Sequence, residues 1–122
     1  MDKRILIVDD EKPLAKALEL KLTHEGIKAQ AVFNGVDAIE TLKSGNFDLV
    51  LLDLVMPEED GFEVLENIQK LKLKTTVIVS SNLSQDEDIA RAKELGAVDY
   101  FVKSDTTLAK VVELIKGYLT QA

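Results

Sequence analysis

The chain has 122 residues, of which 46% are hydrophobic and 30% charged, and its formal net charge is −7. This composition is typical of one folded domain with a real hydrophobic core and argues against disorder. An acidic chain lacks the basic face that binds phosphate backbones, so we expect no direct contact with nucleic acid. Because the sequence contains no cysteine, disulfides, thiolate chemistry and cysteine-ligated zinc are excluded.

The sequence predicts neither a secretory signal nor a membrane span. No apolar run approaches the roughly 20 residues that cross a bilayer. The chain runs directly from Met1 into the strand-like segment Ile5–Val8, without a longer apolar stretch or a cleavage site. We therefore expect a cytoplasmic protein that makes no membrane contact.

Five strand-like runs alternate with five helix-like segments along the chain. The strands are predicted at residues 4–8, 28–33, 48–53, 75–79 and 98–102, and helical periodicity follows each of them. Strict alternation predicts an α/β fold, with a doubly wound parallel sheet and right-handed crossovers. The second strand is the least hydrophobic, which favours an edge position. We expect residues 1–122 to form a single domain with no output domain.

Polar residues mark the predicted helix starts. Asn34 is expected to cap the second helix, and Asp60 and Ser84 to open capping boxes ahead of the third and fourth helices. Ser104 or Asp105 is expected to cap the fifth helix. The glycines match neither a dinucleotide-binding fingerprint nor a P-loop, so the sequence predicts no nucleotide site of these two kinds.

The third strand leads directly to a carboxylate. The aliphatic run Leu49–Leu52 is typical of a strand buried on both faces of a parallel sheet, and Asp53 follows at its carboxyl end. Pro57 cannot donate to a sheet ladder, so the strand must end before it. A lone aspartate in this place more often ends a strand or caps a turn than carries chemistry.

Polar side chains also end three other strands: Asp9 and Asp10 the first, Ser80 the fourth and Lys103 the fifth. Carboxyl ends of parallel strands share one edge of a sheet, so these side chains should converge on Asp53. Clustered carboxylates repel one another unless a hard cation such as Mg²⁺ binds them. We assign Asp9 and Asp10 to Mg²⁺, and Asp53 to nucleophilic attack on a phosphoryl group. Ser80 and Lys103 would stabilise the charge of that group.

With these motifs the chain resembles the receiver domain of two-component response regulators over its whole length. The matching segments are Val8-Asp9-Asp10-Glu11, residues 53–61, Ser80-Ser81 and residues 96–103. The resemblance implies a flavodoxin-like (βα)5 fold with strand order 2-1-3-4-5, which the chemotaxis receivers share. It implies that Asp53 accepts a phosphoryl group from a sensor histidine kinase or a histidine phosphotransfer protein. Such a chain is a phospho-acceptor that assists its own phosphorylation and dephosphorylation, not an enzyme.

The resemblance also implies a ligand set and a switch. Mg²⁺ would bind Asp10, Asp53 and the main-chain carbonyl of Val55, with Asp9 nearby. Ser80 would move toward the phosphoryl group, and Tyr100 would turn inward.

The face formed by the fourth helix, fifth strand and fifth helix would then change its preference for a downstream protein partner, in a monomer or a phosphorylation-dependent dimer. In the family, the positions of Val55 and Asn82 tune the lifetime of the phosphorylated state.

One position departs from the family pattern. Ser104 stands where the family usually has proline after the site lysine. A cis bond before a residue other than proline costs about 3–4 kcal/mol, so we expect a trans Lys103–Ser104 bond. Because of this departure, the sequence does not determine how the Lys103 side chain is oriented.

Two other functions remain alternatives. The chain could be an interaction module that keeps the fold without the phosphorylation chemistry. It could also be a phosphatase with an aspartyl-phosphate intermediate, although Val55 stands where such enzymes usually have a second aspartate. His24 is the single histidine, and we expect it to be a solvated surface residue.

Overall fold

A computed structural model describes residues 3–56 and 60–120. The strands are β1 (Arg4–Val8), β2 (Lys28–Val32), β3 (Leu49–Leu52), β4 (Thr76–Ser81) and β5 (Asp99–Val102). The helices are α1 (Lys12–His24), α2 (Gly35–Ser44), α3 (Gly61–Lys70), α4 (Asp86–Glu94) and α5 (Leu108–Leu119), and a short 3-10 turn (Lys103–Asp105) precedes α5. Pro57, within one of the family-like segments, lies outside the described residues.

The strands form one parallel sheet in the order β2-β1-β3-β4-β5. This confirms the predicted strand order and the predicted edge position of β2. β3 lies at the centre of the sheet, and all four of its residues are buried, as expected for an aliphatic strand covered on both faces. β4 continues to Ser81, so both serines lie within the strand and not beyond it.

The helices cover both faces of the sheet, and alternate strand residues face opposite cores. One face of the sheet is covered by α2, α3 and α4, and we call it the α2–α4 side; the face covered by α1 and α5 is the α1–α5 side. On the α2–α4 side, the sheet contributes Leu6, Val8, Val50, Leu52, Val77 and Val79, which pack with residues of these three helices. On the α1–α5 side, it contributes Ile5, Ile7, Leu49, Leu51 and Ile78, which pack with residues of α1 and α5. The doubly wound architecture is therefore confirmed.

Two of the predicted helix caps are confirmed. The Asn34 side chain accepts a hydrogen bond from the Asp37 N–H at 2.8 Å at the start of α2. The Asp60 side chain accepts one from the Glu63 N–H at 3.0 Å at the start of α3. Both bonds satisfy a main-chain donor that the first helical turn leaves without a partner.

The other two cap predictions are wrong. Gln85, not Ser84, precedes α4, and its side chain makes no capping hydrogen bond. Three acidic residues in the first turn of α4 compensate, because negative charge there is favourable at the helix N-terminus. Ser104 and Asp105 belong to the 3-10 turn, and Thr107 caps α5 by accepting from the Lys110 N–H at 3.2 Å.

Helix α3 begins directly against the end of β3. A Cβ atom on Gly61 would lie 2.4 Å from the carbonyl oxygen of Asp53 and 2.6 Å from the Cα of Leu54. The Gly61 N–H also donates to the Leu54 carbonyl at 2.9 Å. This close approach fixes the main chain that carries Asp53.

Candidate functional site at the carboxyl edge of the sheet

Asp53 is held rigidly at the end of β3. Its N–H donates to the Val8 carbonyl at 2.9 Å, which extends the β1–β3 pairing by one residue. One carboxylate oxygen accepts from the Val55 N–H at 3.2 Å, and the other from the Lys103 Nζ at 3.0 Å. The residue is only 4% exposed. Strand pairing and two side-chain hydrogen bonds therefore fix its orientation.

Lys103 bridges two buried carboxylates. Its Nζ lies 2.8 Å from an Asp9 oxygen and 3.0 Å from an Asp53 oxygen. Glu11, nearer the solvent, is 3.7 Å away. The lysine side chain is 11% exposed, so water screens these contacts far less than it would at the surface. Lys103, which follows β5, thus offsets charge on Asp9 and Asp53, which follow β1 and β3.

The pKa values of Asp53 and Lys103 are both shifted. Burial raises the pKa of the Asp53 carboxyl, and the charge of Asp9 adds to the rise, while Lys103 and the Val55 N–H oppose it. Burial by itself would lower the pKa of Lys103, but its hydrogen bonds and charge attraction to Asp9 and Asp53 outweigh burial and raise it. Perturbed ionisable groups in a cleft are typical of functional sites.

Three carboxylates at this edge could hold a cation. Ligand oxygens of Asp9, Asp10 and Asp53 all lie within 4.8 Å of one another. The Asp9 carboxylate is oriented by the Glu11 N–H, which donates to it at 2.9 Å, and Asp10 lies nearer the solvent. An all-oxygen set with one solvent-facing carboxylate suits Mg²⁺, which usually keeps several of its waters. The residues present therefore fit that ion.

A pocket of about 290 Å³ lies beside Asp53. Its wall is formed by three acidic residues and Lys103 together with three uncharged residues: Asp10, Glu11, Asp53, Lys103, Val55, Asn82 and Leu83. Val55 follows β3, and Asn82 and Leu83 follow β4. A small tetrahedral anion with its cation and waters would fit a space of this size, next to the carboxylate that it would contact.

The two serines of β4 face opposite sides of the sheet. Ser80 lies on the α1–α5 side and lines a small cavity of about 90 Å³ together with Asp9, Phe101 and Lys103. Ser81 follows it in the pleat and is fully buried, and its hydroxyl accepts from the Leu83 N–H at 3.2 Å. Among the described residues, neither hydroxyl forms a hydrogen bond with Asp53.

Tyr100 is joined to the residues that follow β4. It is half-buried and packs against the core of the α2–α4 side. Its hydroxyl donates to the Leu83 carbonyl at 2.6 Å. Burial raises the pKa of this hydroxyl, and a hydrogen bond with Ser81 opposes the rise. Ser81, Leu83 and Tyr100 therefore form one connected group.

The structure adds two residues to this edge of the sheet, beyond the predicted catalytic and metal-binding residues. Glu11, which the sequence places only within a matching segment, contributes a third carboxylate near Lys103. Asn82 lines the pocket, and its side chain accepts a hydrogen bond from the Ser104 N–H at 2.8 Å. No cis peptide bond occurs in the described part of the chain, so the Lys103–Ser104 bond is trans, as expected. His24 lies exposed at the end of α1, as expected for a solvated surface residue.

A doubly wound parallel sheet with acidic residues after β1 and β3 and a lysine after β5 defines a receiver-type signalling domain. The sequence profile of the response regulator receiver domain matches residues 5–116. The chain belongs to this family.

Known relatives agree with this assignment. The chain is 36% identical over 111 residues to the transcriptional regulatory protein DltR of Streptococcus agalactiae, which covers 88% of this chain and 50% of that protein. It superposes with a TM-score of 0.91 on a CheY-like receiver domain protein from Methanospirillum hungatei, at 27% identity over 98% of this chain and 94% of the other. For TrrA from Thermotoga maritima, solved in complex with Mg(2+)-BeF, the TM-score is 0.81 at 35% identity, over 95% and 98% of the two chains.

The chain spans about half the length of the curated relatives that it matches. Family membership makes it a signalling domain of a two-component system and not an enzyme in the usual sense. In the described part of the chain, none of the helices has the length and apolar character needed to span a membrane.

Proposed function

We propose that Asp53 accepts a phosphoryl group from a phosphohistidine of a sensor histidine kinase or a histidine phosphotransfer protein. One observation carries this proposal: Lys103 and the Val55 N–H hold the Asp53 carboxylate beside an open pocket, with two further carboxylates within 4.8 Å. Phosphoryl transfer depends mainly on positioning and charge neutralisation, and the site supplies both.

In the proposed transfer, a carboxylate oxygen of Asp53 attacks the phosphorus atom of the donor. The P–N bond breaks, an acyl phosphate forms on Asp53, and the imidazole departs and takes up a proton from solvent. Lys103 is charged and its Nζ already lies 3.0 Å from the attacking carboxylate, so its ammonium can stabilise the negative charge of the incoming phosphoryl group. Asp53 needs no general base, because its carboxylate carries no proton to remove.

Asp10, Asp53 and the main-chain carbonyl of Val55 would hold Mg²⁺, with Asp9 nearby. When bound, the ion neutralises phosphoryl oxygens and the clustered carboxylates. The similarity to TrrA, which was solved in complex with Mg(2+)-BeF, supports the binding of Mg²⁺.

Two hydroxyls compete for the proposed hydrogen bond to the phosphoryl group. Ser80 remains the sequence-based prediction, and it lies close to Lys103. Ser81 is the better candidate for the switch, because its hydroxyl accepts from the Leu83 N–H and the Leu83 carbonyl accepts from the Tyr100 hydroxyl. Replacing each serine separately with alanine distinguishes the two candidates. The response of Tyr100 to phosphorylation should be lost in Ser81→Ala and kept in Ser80→Ala.

The consequence of phosphorylation would be a shift in a two-state equilibrium. Movement of the hydroxyl toward the phosphoryl group would change the packing of Tyr100, and with it the face formed by α4, β5 and α5. That face would select a downstream protein partner in the cytoplasm, as a monomer or a phosphorylation-dependent dimer. The acidic charge of the domain argues against a direct role in nucleic-acid binding.

Intact-mass measurement tests the proposal. The protein is incubated with a small acyl phosphate and Mg²⁺, and we expect the mass of one added phosphoryl group. Asp53→Asn should remove the adduct, whereas Asp105→Asn, which changes an exposed acid after β5, should keep it. Absence of an adduct on the unaltered protein would contradict the proposal.

One observation favours the alternative of a phosphorylation-independent interaction module. Lys103 already bridges Asp9 and Asp53, so the charge of the two buried carboxylates is partly offset by a side chain of the protein. Titration with Mg²⁺ distinguishes the two functions: binding in the millimolar range or tighter is expected of a phospho-acceptor, and its absence supports the module.

A further inference from the structure

We propose that Asn82 is a positioning residue, which holds the turn that begins at Lys103 through the main-chain N–H of Ser104. The consequence for phosphoryl transfer rests on the proposed function, but the hydrogen bond itself and its effect on Lys103 do not.

The contact joins the ends of two neighbouring strands. Ser81 at the end of β4 pairs with Val102 at the end of β5. Just beyond that pair, the Asn82 side chain accepts from the Ser104 N–H at 2.8 Å. A side chain therefore continues the connection between the strands at the point where their main-chain pairing stops.

Lys103 needs such support because it follows an edge strand. β5 pairs only with β4, whereas Asp9 and Asp53 follow strands in the interior of the sheet. Within the turn, Thr106 bonds only to Val102 and Lys103, which are residues of the same segment. Among the described residues, the Asn82–Ser104 bond is the one hydrogen bond that ties the main chain of this turn to another strand end, whereas Lys103 reaches Asp53 through its side chain.

This arrangement depends on the residue that departs from the family pattern. Proline at position 104 would have no N–H to donate. Lys103 also begins a 3-10 turn, and proline disfavours a helical conformation in the residue before it. Ser104, in a trans peptide, supplies the N–H donor. A hydrogen bond therefore holds Lys103 in this chain, at the point where the ring of a proline would otherwise restrict the main chain.

Asn82 also lines the pocket beside Asp53, and the next residue, Leu83, accepts the hydroxyl of Tyr100. The segment after β4 is thus attached on one side to the Lys103 turn and on the other to Tyr100. A substitution at Asn82 should therefore change the orientation of the Lys103 side chain and leave Asp9, Asp10 and Asp53 in place.

Three variants test the inference. Asn82→Ala removes the acceptor, Ser104→Pro removes the donor, and Ser104→Ala keeps the main-chain N–H and is the matched control. In NMR experiments we expect the Ser104 amide to exchange faster with solvent in Asn82→Ala than in the unaltered protein. The Lys103 Nζ resonance should shift in Asn82→Ala and Ser104→Pro, and should stay unchanged in Ser104→Ala.

Kinetics then measure the effect on phosphoryl transfer. With an acyl phosphate and saturating Mg²⁺, Asn82→Ala and Ser104→Pro should each lower the maximal phosphorylation rate constant about threefold, as expected for a solvent-exposed hydrogen bond. The KM for the donor and the affinity for Mg²⁺ should change little. Combining the two substitutions should add nothing beyond the larger single effect, because both remove the same bond.

Each failure has a separate meaning. Unchanged Ser104 exchange in Asn82→Ala would overturn the hydrogen bond itself. Faster exchange with an unmoved Lys103 resonance would overturn the positioning role. If the unaltered protein takes up no phosphoryl group, the proposed function fails, and the two NMR measurements still decide the role of Asn82. Far-UV circular dichroism of every variant establishes that it is folded.

Discussion

At the scale of single residues, the site is a balance between two buried carboxylates and one ammonium. Asp9 and Asp53 are almost fully buried, and Lys103 lies within 3.0 Å of both. Removing two charges from water is costly, and one lysine compensates only part of that cost. The raised pKa of Asp53 expresses this imbalance, because burial outweighs the attraction to Lys103. Holding this carboxylate rigidly in a buried position therefore lowers the stability of the fold.

A pH-dependent gain in stability follows for Asp53→Asn. A carboxyl group whose pKa is higher in the folded than in the unfolded protein favours folding when protonated. That contribution is present below the unfolded pKa of about 3.9 and is lost as the pH rises through the folded pKa. We expect Asp53→Asn to unfold at higher urea concentration than the unaltered protein at pH 7 in metal-free buffer.

The gain should shrink as the pH falls through the raised pKa of folded Asp53, where its carboxyl becomes protonated. Asp105→Asn, at an exposed position, is the control and should show no comparable gain. A loss of stability in Asp53→Asn at pH 7 would mean that the attraction to Lys103 outweighs burial.

Among the secondary-structure elements, the first residues of α3 and α5 determine the position of the main chain that carries the site residues. α3 begins on the main chain of Asp53 and Leu54, and α5 begins only after the turn that contains Lys103. Both starts lie at the carboxyl edge of the sheet, so the geometry of the helices and the geometry of the site are linked.

Thr107→Ala should destabilise the protein by about 1 kcal/mol, because the Lys110 N–H at the start of α5 loses its acceptor. Ser104→Ala should change the free energy of unfolding much less, since that hydroxyl caps no helix. Urea denaturation of both variants checks the pair. A larger loss for Ser104→Ala would restore the cap that the sequence predicted.

Gly61→Ala should destabilise the protein by about 2–3 kcal/mol, since the new methyl group would overlap the main chain at Asp53 and Leu54. Gly117 is the matched control within a helix, because nothing lies within 4 Å of a Cβ at that position. We expect Gly117→Ala to stabilise α5 by about 0.5–1 kcal/mol, as alanine usually does in a helix interior. Equal effects of the two substitutions in urea denaturation would contradict the close approach of α3.

At the scale of the whole molecule, the site connects parts of the chain that are far apart in sequence. Asp9, Asp53 and Lys103 follow β1, β3 and β5, and the Lys103–Asp53 contact spans 50 positions. A ligand that binds these residues binds only the folded chain, so binding should stabilise the entire domain.

Mg²⁺ at 100 times its dissociation constant should raise the free energy of unfolding by about 2.7 kcal/mol. Asp10→Asn should reduce this stabilisation, because it removes the solvent-facing carboxylate of the cluster. Asp86→Asn changes an exposed acid on α4 and should leave it intact. Thermal unfolding with and without Mg²⁺ measures the difference, and equal stabilisation of both variants would argue against binding at this cluster.

Three features were predictable from the amino-acid sequence: the five β-α units, the edge position of β2, and the convergence of Asp9, Asp10, Asp53 and Lys103. These features follow from short-range hydrophobic periodicity and from one general property of parallel sheets, whose carboxyl ends share an edge. The strand order rested on the family resemblance, and the structure confirms it.

Three other features could be known only from the folded chain: which hydroxyl of β4 lies on the side of Tyr100, which residue caps α5, and which contact holds the Lys103 turn. A shift of one residue along a strand moves a side chain to the other face of the sheet, so Ser80 and Ser81 cannot be distinguished from adjacent letters. The short turn at Lys103–Asp105 moved the cap to Thr107. The Asn82–Ser104 bond joins residues 22 positions apart, and a contact of that kind exists only once β4 and β5 have paired.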